Sequence, residues 1–406
     1  MKLKQVLELE LNRIRLSDSE LEKLNLQAKK FCLNLEKSLK KRKIKASVFI
    51  GGSLAKKTIL KKDLQDVDIF VRFDSKYKDT EISDLLEKSL KARRIHGSRD
   101  YFQLKKGDIL FEIIPVINVS SSKQARNITD LSYFHVSYVL SKLRKNPKLA
   151  NEIMLAKSFC HGQGVYGAES YISGFSGYAL ELLVIYYKSF VNFLKAAGKQ
   201  EQIVLDPSKY YKNKQDILDS LNEAKLSSPI IFVDPTNKNR NALAALSKEA
   251  FIKFQVASKN FLKKPSLSYF QEKEINSKDY NFIIKARTDR QEGDIAGSKL
   301  KKFFGFIARE LGRFFAVNKK AFRYNDDKTA RLYFNIKPRK ELILNGPPID
   351  KTEHFLKFKL AHKNTFIKNK KIYAKEKITL SPKEFLKQFK IKNFKVMRSM
   401  GIIEVD

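Results

Sequence analysis

Residues 51–73 read GGSLAKKTILKKDLQDVDIFVRF. Residues 67–73 (VDIFVRF) predict a strand. Residues two apart in a strand point to the same face, so Asp66 and Asp68 present two carboxylates together. Two neighbouring carboxylates repel and raise each other's pKa unless a cation lies between them. Mg²⁺ suits that role, because it takes oxygen ligands and keeps positions for substrate phosphates. Just upstream, 47–50 (SVFI) is rich in β-branched and aromatic residues and predicts a strand. It runs into Gly51-Gly52-Ser53, a turn whose backbone can approach a triphosphate closely, with N–H groups and a hydroxyl as donors.

Outward from this segment, Ser17 and Glu20 form a capping box, and Leu21, Leu24, Ala28, Phe31, Leu35 and Leu39 follow at helical spacing. That helix runs into the basic stretch 40–45. On the other side, 82–92 has helical periodicity and 110–118 (LFEIIPVIN) predicts a third strand, with Pro115 pointing to an edge or a strand end. Glu112, between Phe111 and Ile113, is the preferred third carboxylate for a two-metal displacement. Asp108 stays open as the alternative, although it follows Gly107 in a turn. These elements make an α/β module over residues 1–140.

Past Tyr133 the pattern becomes helical. Segments 151–160, 178–194 and 247–262 are apolar-faced, with a Lys- and Asp-rich loop at 206–216, and they define a mostly helical domain over 141–264. Residues 265–406 mix strands (280–286, 331–336, 366–367, 371–374) with a helix over 297–316 and a turn at Asn345-Gly346-Pro347-Pro348. Basic and aromatic residues adjoin there, as in Lys301-Lys302-Phe303-Phe304 and Arg323-Tyr324. The mixture suits RNA contact by phosphate pairing and stacking, and equally suits aromatics that form core.

The formal charge of +37 over 406 residues makes nucleic acid the leading partner and an anionic membrane the weaker one. No stretch approaches the roughly 18 apolar residues of a membrane span. Acids interrupt the apolar run at the start, so no signal peptide is expected. Cys32 and Cys160 are the two cysteines, which argues against a disulfide framework or a cysteine zinc site and fits a reducing cytoplasm. Cys160 beside His161 has no further ligand nearby in sequence and is taken as incidental.

The turn, the Asp-x-Asp strand and the later strand acid together resemble the nucleotidyltransferase superfamily of DNA polymerase beta, poly(A) polymerases and CCA-adding enzymes. Further segments are similar to archaeal (class I) CCA-adding enzymes. They are 155–187 (LAKSFCHGQGVYGAESYISGFSGYALELLVIYY), 232–247 (FVDPTNKNRNALAALS) and 346–362 (GPPIDKTEHFLKFKLAH). The resemblance spans residues 40–400; bacterial and eukaryotic CCA-adding enzymes lack the YGAE and GFSGY segments. It implies an α+β multidomain chain: a polymerase-beta-like nucleotidyltransferase palm, a helical central domain and a basic α+β C-terminal RNA-binding region.

The same resemblance implies roles. Asp66, Asp68 and Glu112 would hold Mg²⁺ at the 3′-hydroxyl and α-phosphate; the family usually carries Asp where this chain has Glu112. Gly52, Ser53 and Lys56 would contact phosphates, His135, Lys157 and Tyr166 would reach the triphosphate, and Arg240 would read the base edge. The partners would be the acceptor arm and 3′ end of tRNA with ATP and CTP, and no membrane; homodimer formation stays open. The rival functions are a poly(A) polymerase or oligoadenylate synthetase, a non-catalytic RNA-binding protein, and a small-molecule nucleotidyltransferase. The last has no use for a large basic C-terminal region.

Overall fold

The structure, a computed structural model, describes residues 1–97, 99–198, 202–325, 327–377 and 379–406. It falls into two compact units, Met1–Lys273 and Glu274–Asp406.

The first unit opens with α1 (Leu3–Ile14) and α2 (Asp18–Lys41), the second started by the Ser17 capping box read from the sequence. Next come β1 (Ala46–Ile50), the short α3 (Gly52–Ala55), β2 (Gln65–Phe73), α4 (Ile82–Ser89), β3 (Arg93–Ile95), β4 (Tyr101–Lys106) and β5 (Ile109–Ile117). The strands form one mixed sheet in the order β1-β2-β5-β4-β3, with β2 and β5 parallel and the other pairs antiparallel. The odd-numbered residues Val67, Ile69, Val71 and Phe73 are fully buried and pack with Leu24, Ala28, Phe31, Leu35 and Leu39 of α2. This packing leaves Asp66, Asp68, Phe70 and Arg72 on the other face.

Of the two readings of Pro115, the strand end fits and the edge does not: Pro115 lies two residues from the end of β5, which β2 and β4 flank. Pro115 is tolerated because pairing with β4 ends at Ile113, so the missing N–H lies beyond that ladder.

Helices α5 (Ser132–Lys145), α6 (Leu149–Gly162), α7 (Gly177–Tyr187), α8 (Phe190–Ala197), α9 (Lys214–Ser220), α10 (Glu223–Leu226) and α11 (Lys248–Lys263) complete the first unit. A small sheet interrupts them, formed by β6 (Ile203–Leu205), β7 (Ile230–Asp234) and β8 (Asn237–Asn241). The segment expected as one helix over 178–194 is two, because Lys188 adopts a left-handed backbone (φ 68°) and Ser189 caps α8. Phenylalanines 159, 175, 190, 193, 254 and 261 are all fully buried in the core of these helices.

The second unit contains β9 (Phe282–Thr288), α12 (Asp294–Phe314), β10 (Phe315–Tyr324), β11 (Thr329–Pro338), β12 (Glu341–Pro348), α13 (Thr352–Ala361), β13 (Thr365–Lys368), β14 (Lys371–Lys377), α14 (Pro382–Lys392), α15 (Phe394–Ser399) and β15 (Ile402–Val405). Two sheets result, β10-β11-β9-β15 and β12-β14-β13. The expected turn at Asn345–Pro348 instead lies inside β12. That strand is an edge, and an irregularity between Asn345 and Pro348 absorbs both prolines. Phe303 and Phe304 are core residues, so the aromatic half of that basic-aromatic run serves packing.

Candidate active site

The site begins with register. In the parallel pairing of β2 with β5, Asp68 lies opposite Glu112 and Asp66 opposite Leu110. Asp66, Asp68 and Glu112 therefore stand on one sheet face, while Asp108 is an exposed residue of the β4–β5 turn. Burial pushes the Asp68 carboxyl up, and the charge of Asp66 adds to the rise, with Lys56 and Lys157 opposing it. Burial likewise raises Glu112; a hydrogen bond from Gln103 (2.9 Å) works against that, and Asp68 and Asp66 add to it. Asp66 pairs with Lys62 at 2.9 Å. Among the described residues the three carboxylates are not drawn into one closed ligand set. Two half-buried carboxylates with raised pKa values, both oxygen donors, fit a hard divalent cation, which would relieve the repulsion.

The turn after β1 closes over this face. The Gly51 N–H donates to the Asp68 carbonyl at 2.9 Å. Gly52 has φ +55°, and a Cβ there would fall 1.6 Å from Asp68 Oδ2, so backbone conformation and contact both demand glycine. Ser53 follows in the same short helix, half-buried.

Behind Asp68 lies a buried charge cluster. Lys56 Nζ donates to Glu181 Oε2 at 2.7 Å, and Lys157 Nζ donates to Glu181 Oε1 and Thr58 Oγ1, each at 3.0 Å. Glu181 is fully buried, and Lys56 and Lys157 nearly so. Burial opposes the Glu181 charge, but Lys157 and Lys56 outweigh it and hold the carboxylate below its usual range. Burial pulls Lys157 down, against Glu181. With Asp68 ionised, the two lysines and two acids balance in charge. The two sequence-predicted lysines are thus brought together, through a residue that sequence reasoning passed over. Its signal was a single acid inside the apolar helix GYALELLVIYY; a charge there needs a buried partner.

A second cluster centres on Asp234. It accepts from Tyr178 Oη (3.0 Å), from the Thr236 N–H (2.8 Å) and hydroxyl (2.7 Å), and from Arg240. His135 Nε2 lies 3.3 Å from it, outside hydrogen-bond geometry, and the imidazole stacks on Tyr178 with 4.1 Å between ring centroids. Burial opposes the Asp234 charge, yet His135 and Arg240 hold the carboxyl well below the usual range. Burial drives His135 down; Asp234 opposes the fall, and the nearby charges of Arg240 and Lys56 add to it. Tyr178 and Glu181, three residues apart on α7, tie the two clusters together. Arg240 lies over the Tyr178 ring at 5.7 Å, so its guanidinium is oriented by a carboxylate and an aromatic face. Asn241 serves the fold, binding the Phe232 and Leu243 N–H groups and the Lys225 carbonyl.

Tyr166 is stacked on His161 at 3.9 Å. Its hydroxyl and the Lys157 side chain both crowd Gly177, where a Cβ would meet Tyr166 Oη at 2.9 Å and Lys157 Cε at 3.8 Å. Burial raises the phenol, and Glu181 and Asp68 add to the rise. The hydroxyl is therefore neutral, a donor or acceptor close to the charge cluster.

Known proteins resemble both parts of the first unit. Residues 32–126 match the nucleotidyltransferase domain model, and residues 151–271 match the second domain of tRNA nucleotidyltransferase. A CCA-adding enzyme of Nanoarchaeum equitans is 37% identical over 273 residues, covering 65% of this chain and 67% of the relative. One from Methanocaldococcus jannaschii is 28% identical over 399 residues, covering 92% and 87%. Among solved structures, the Cid1 poly(U) polymerase superposes with a TM-score of 0.52 at 15% identity over 66% of this chain and 98% of that one, a likeness of fold. On the strength of these matches, the chain belongs to the archaeal-type CCA-adding enzymes, a family of tRNA nucleotidyltransferases.

Proposed function

We propose that the chain adds C, C and A to the 3′ end of tRNA from CTP and ATP, without a nucleic-acid template and with release of pyrophosphate. The observation that carries it is the register that sets Asp66, Asp68 and Glu112 on one face beside the Gly52-Ser53 turn. When bound there, Mg²⁺ would lower the pKa of the attacking hydroxyl and offset charge on the leaving pyrophosphate. The three carboxylates would hold it. The Ser53 hydroxyl and the backbone of the turn would meet the triphosphate. Lys56 and Lys157 would supply positive charge from beneath, positioned by Glu181, with Tyr166 and His135 at the flank. Arg240, held by Asp234, would present a fixed fork of donors to the base edge, and U or G would leave polar groups unpaired.

On this basis residues 1–140 would serve transfer, 141–264 nucleotide binding and 265–406 the tRNA body. The basic final region would read shape and phosphates rather than sequence. A cytoplasmic location accords with two reduced cysteines, and among the described residues no helix is long and apolar enough to cross a membrane. The test is extension of a tRNA lacking its CCA end with each nucleotide alone and with CTP and ATP together. Addition of C, C and A followed by a stop is expected. Long A-tails would instead make the chain a poly(A) polymerase, and tight tRNA binding without extension would make it a binding protein.

A further inference from the structure

Arg240 sits on a strand that its sheet barely holds. β8 is the edge of the order β6-β7-β8, and its pairing with β7 passes from Asp234 opposite Asn237 directly to Val233 opposite Asn241. Lys238, Asn239 and Arg240 therefore bulge out of the ladder. Carbonyls in such a turn and bulge take their partners from elsewhere. Here the partners are side chains of the segment 206–226, which the transfer site does not use. The Tyr210 hydroxyl donates to the Pro235 carbonyl at 2.7 Å, the Tyr211 hydroxyl to the Lys238 carbonyl at 2.8 Å, and the Lys225 ammonium to the Asn239 carbonyl at 2.8 Å.

The three donors are themselves fixed. Asp206 accepts the Tyr211 N–H at 2.9 Å, and the left-handed backbone of Lys209 (φ 53°) turns the chain so that two consecutive tyrosines both reach the hairpin. The Lys225 carbonyl accepts from Asn241 Nδ2 at 2.8 Å. Ile217, Leu221, Ile231 and Val233 form a small core separate from the phenylalanine core of the helices, and Tyr211 and Leu226 pack on it. We infer that Tyr210, Tyr211 and Lys225 are positioning residues for nucleotide selection, holding the β7–β8 hairpin so that the Arg240 guanidinium meets the base edge in one fixed orientation. The inference rests on Arg240 reading the base. Asp234 fixes the guanidinium end of that side chain, and the gripped carbonyls fix the backbone from which it springs. A displaced guanidinium loses its bonds to the correct base, whereas a wrong base, already unpaired there, has little to lose. Loosening the brace therefore lowers discrimination.

The experiment measures the ratio of kcat/KM for CTP over UTP, on tRNA lacking its CCA end, in the full chain carrying Tyr210→Phe, Tyr211→Phe, both together, or Lys225→Met. Each is also combined with Arg240→Ala. The paired variant is expected to lower the ratio about 5- to 30-fold, and each single variant about two- to tenfold, with the KM for tRNA within about twofold of wild type. A merely structural role removes active molecules for both nucleotides alike and leaves the ratio in place. In the Arg240→Ala chain the same changes should move the ratio by less than about twofold, because nothing is left to position. An unchanged ratio in every variant, or an equal fall with and without Arg240, overturns the inference and leaves base reading by Arg240 standing. If Arg240→Ala alone keeps the wild-type ratio, base reading by Arg240 fails and the inference fails with it.

Discussion

Replacing Glu181 by Gln tests how the transfer site is held together. The carboxylate is fully buried and is the shared partner of Lys56 at 2.7 Å and Lys157 at 3.0 Å. Glutamine keeps the volume but removes the charge, and its amide nitrogen points a donor at one of two ammonium groups that themselves only donate. Breaking a buried pair by removing one partner costs about 3–5 kcal/mol, because a charge is left uncompensated. Here two lysines are stranded, so the upper half of that range is expected. At about 2–4 °C per kcal/mol for a unit this size, the melting temperature should fall by about 10 °C or more. Urea and thermal unfolding followed by circular dichroism measure it. Adding Lys157→Met to the variant removes one stranded cation and should recover at least about 1 kcal/mol, a non-additivity that only coupled residues show. A loss below about 1 kcal/mol for Glu181→Gln, or no recovery in the double variant, would refute the idea that Glu181 neutralises both lysines.

Other outcomes follow from the same geometry. Gly52→Ala should cut the transfer rate by about 100-fold or more with tRNA affinity intact, since the Cβ must displace the Asp68 carboxylate and a misplacement of about 1 Å costs that much; single-turnover addition of C reads it. Asp234→Asn removes the charge that orients Arg240 and should relax discrimination against UTP and GTP more than it slows CTP use, seen in competition between nucleotides. Burial, with Lys62 and Lys157 nearby, lowers His161 to about 4 from an ordinary 6.5. The native state then binds fewer protons than the unfolded chain between those values, so the neutral imidazole's contribution is complete above 6.5 and is lost as pH falls towards 4. Denaturation curves of His161→Phe should run parallel to wild type above pH 6.5 and lose less stability below it; parallel curves throughout would refute this.

How much of this was legible in the sequence varied with the physics. The two-residue repeat of a strand is a local rule, and it set Asp66 and Asp68 on one face. The Ser17 cap was equally local. β4 and the small β6-β7-β8 sheet escaped notice because IIFVD is apolar on both faces and NKNRN on neither, so neither alternates. The Pro347-Pro348 pair looked like a turn because the edge position that tolerates it is a tertiary fact. Within the site, residue types named most of the groups that meet, but not how they meet. Lys56 and Lys157 looked like free phosphate ligands, and only the packing of α7 against them shows Glu181 between them. Arg240 looked like a base reader, and Asp234, in the same quoted segment, carried no assigned role until it was seen gripping that arginine.

The most direct test of the central claim is single-turnover addition of C to tRNA lacking its CCA end by Asp66→Ala and Asp68→Ala, with tRNA and CTP affinities measured alongside. The account predicts a loss of at least about 1,000-fold in rate for each, with tRNA binding unchanged. Rates within about tenfold of wild type would contradict it and place the chemistry elsewhere in the molecule.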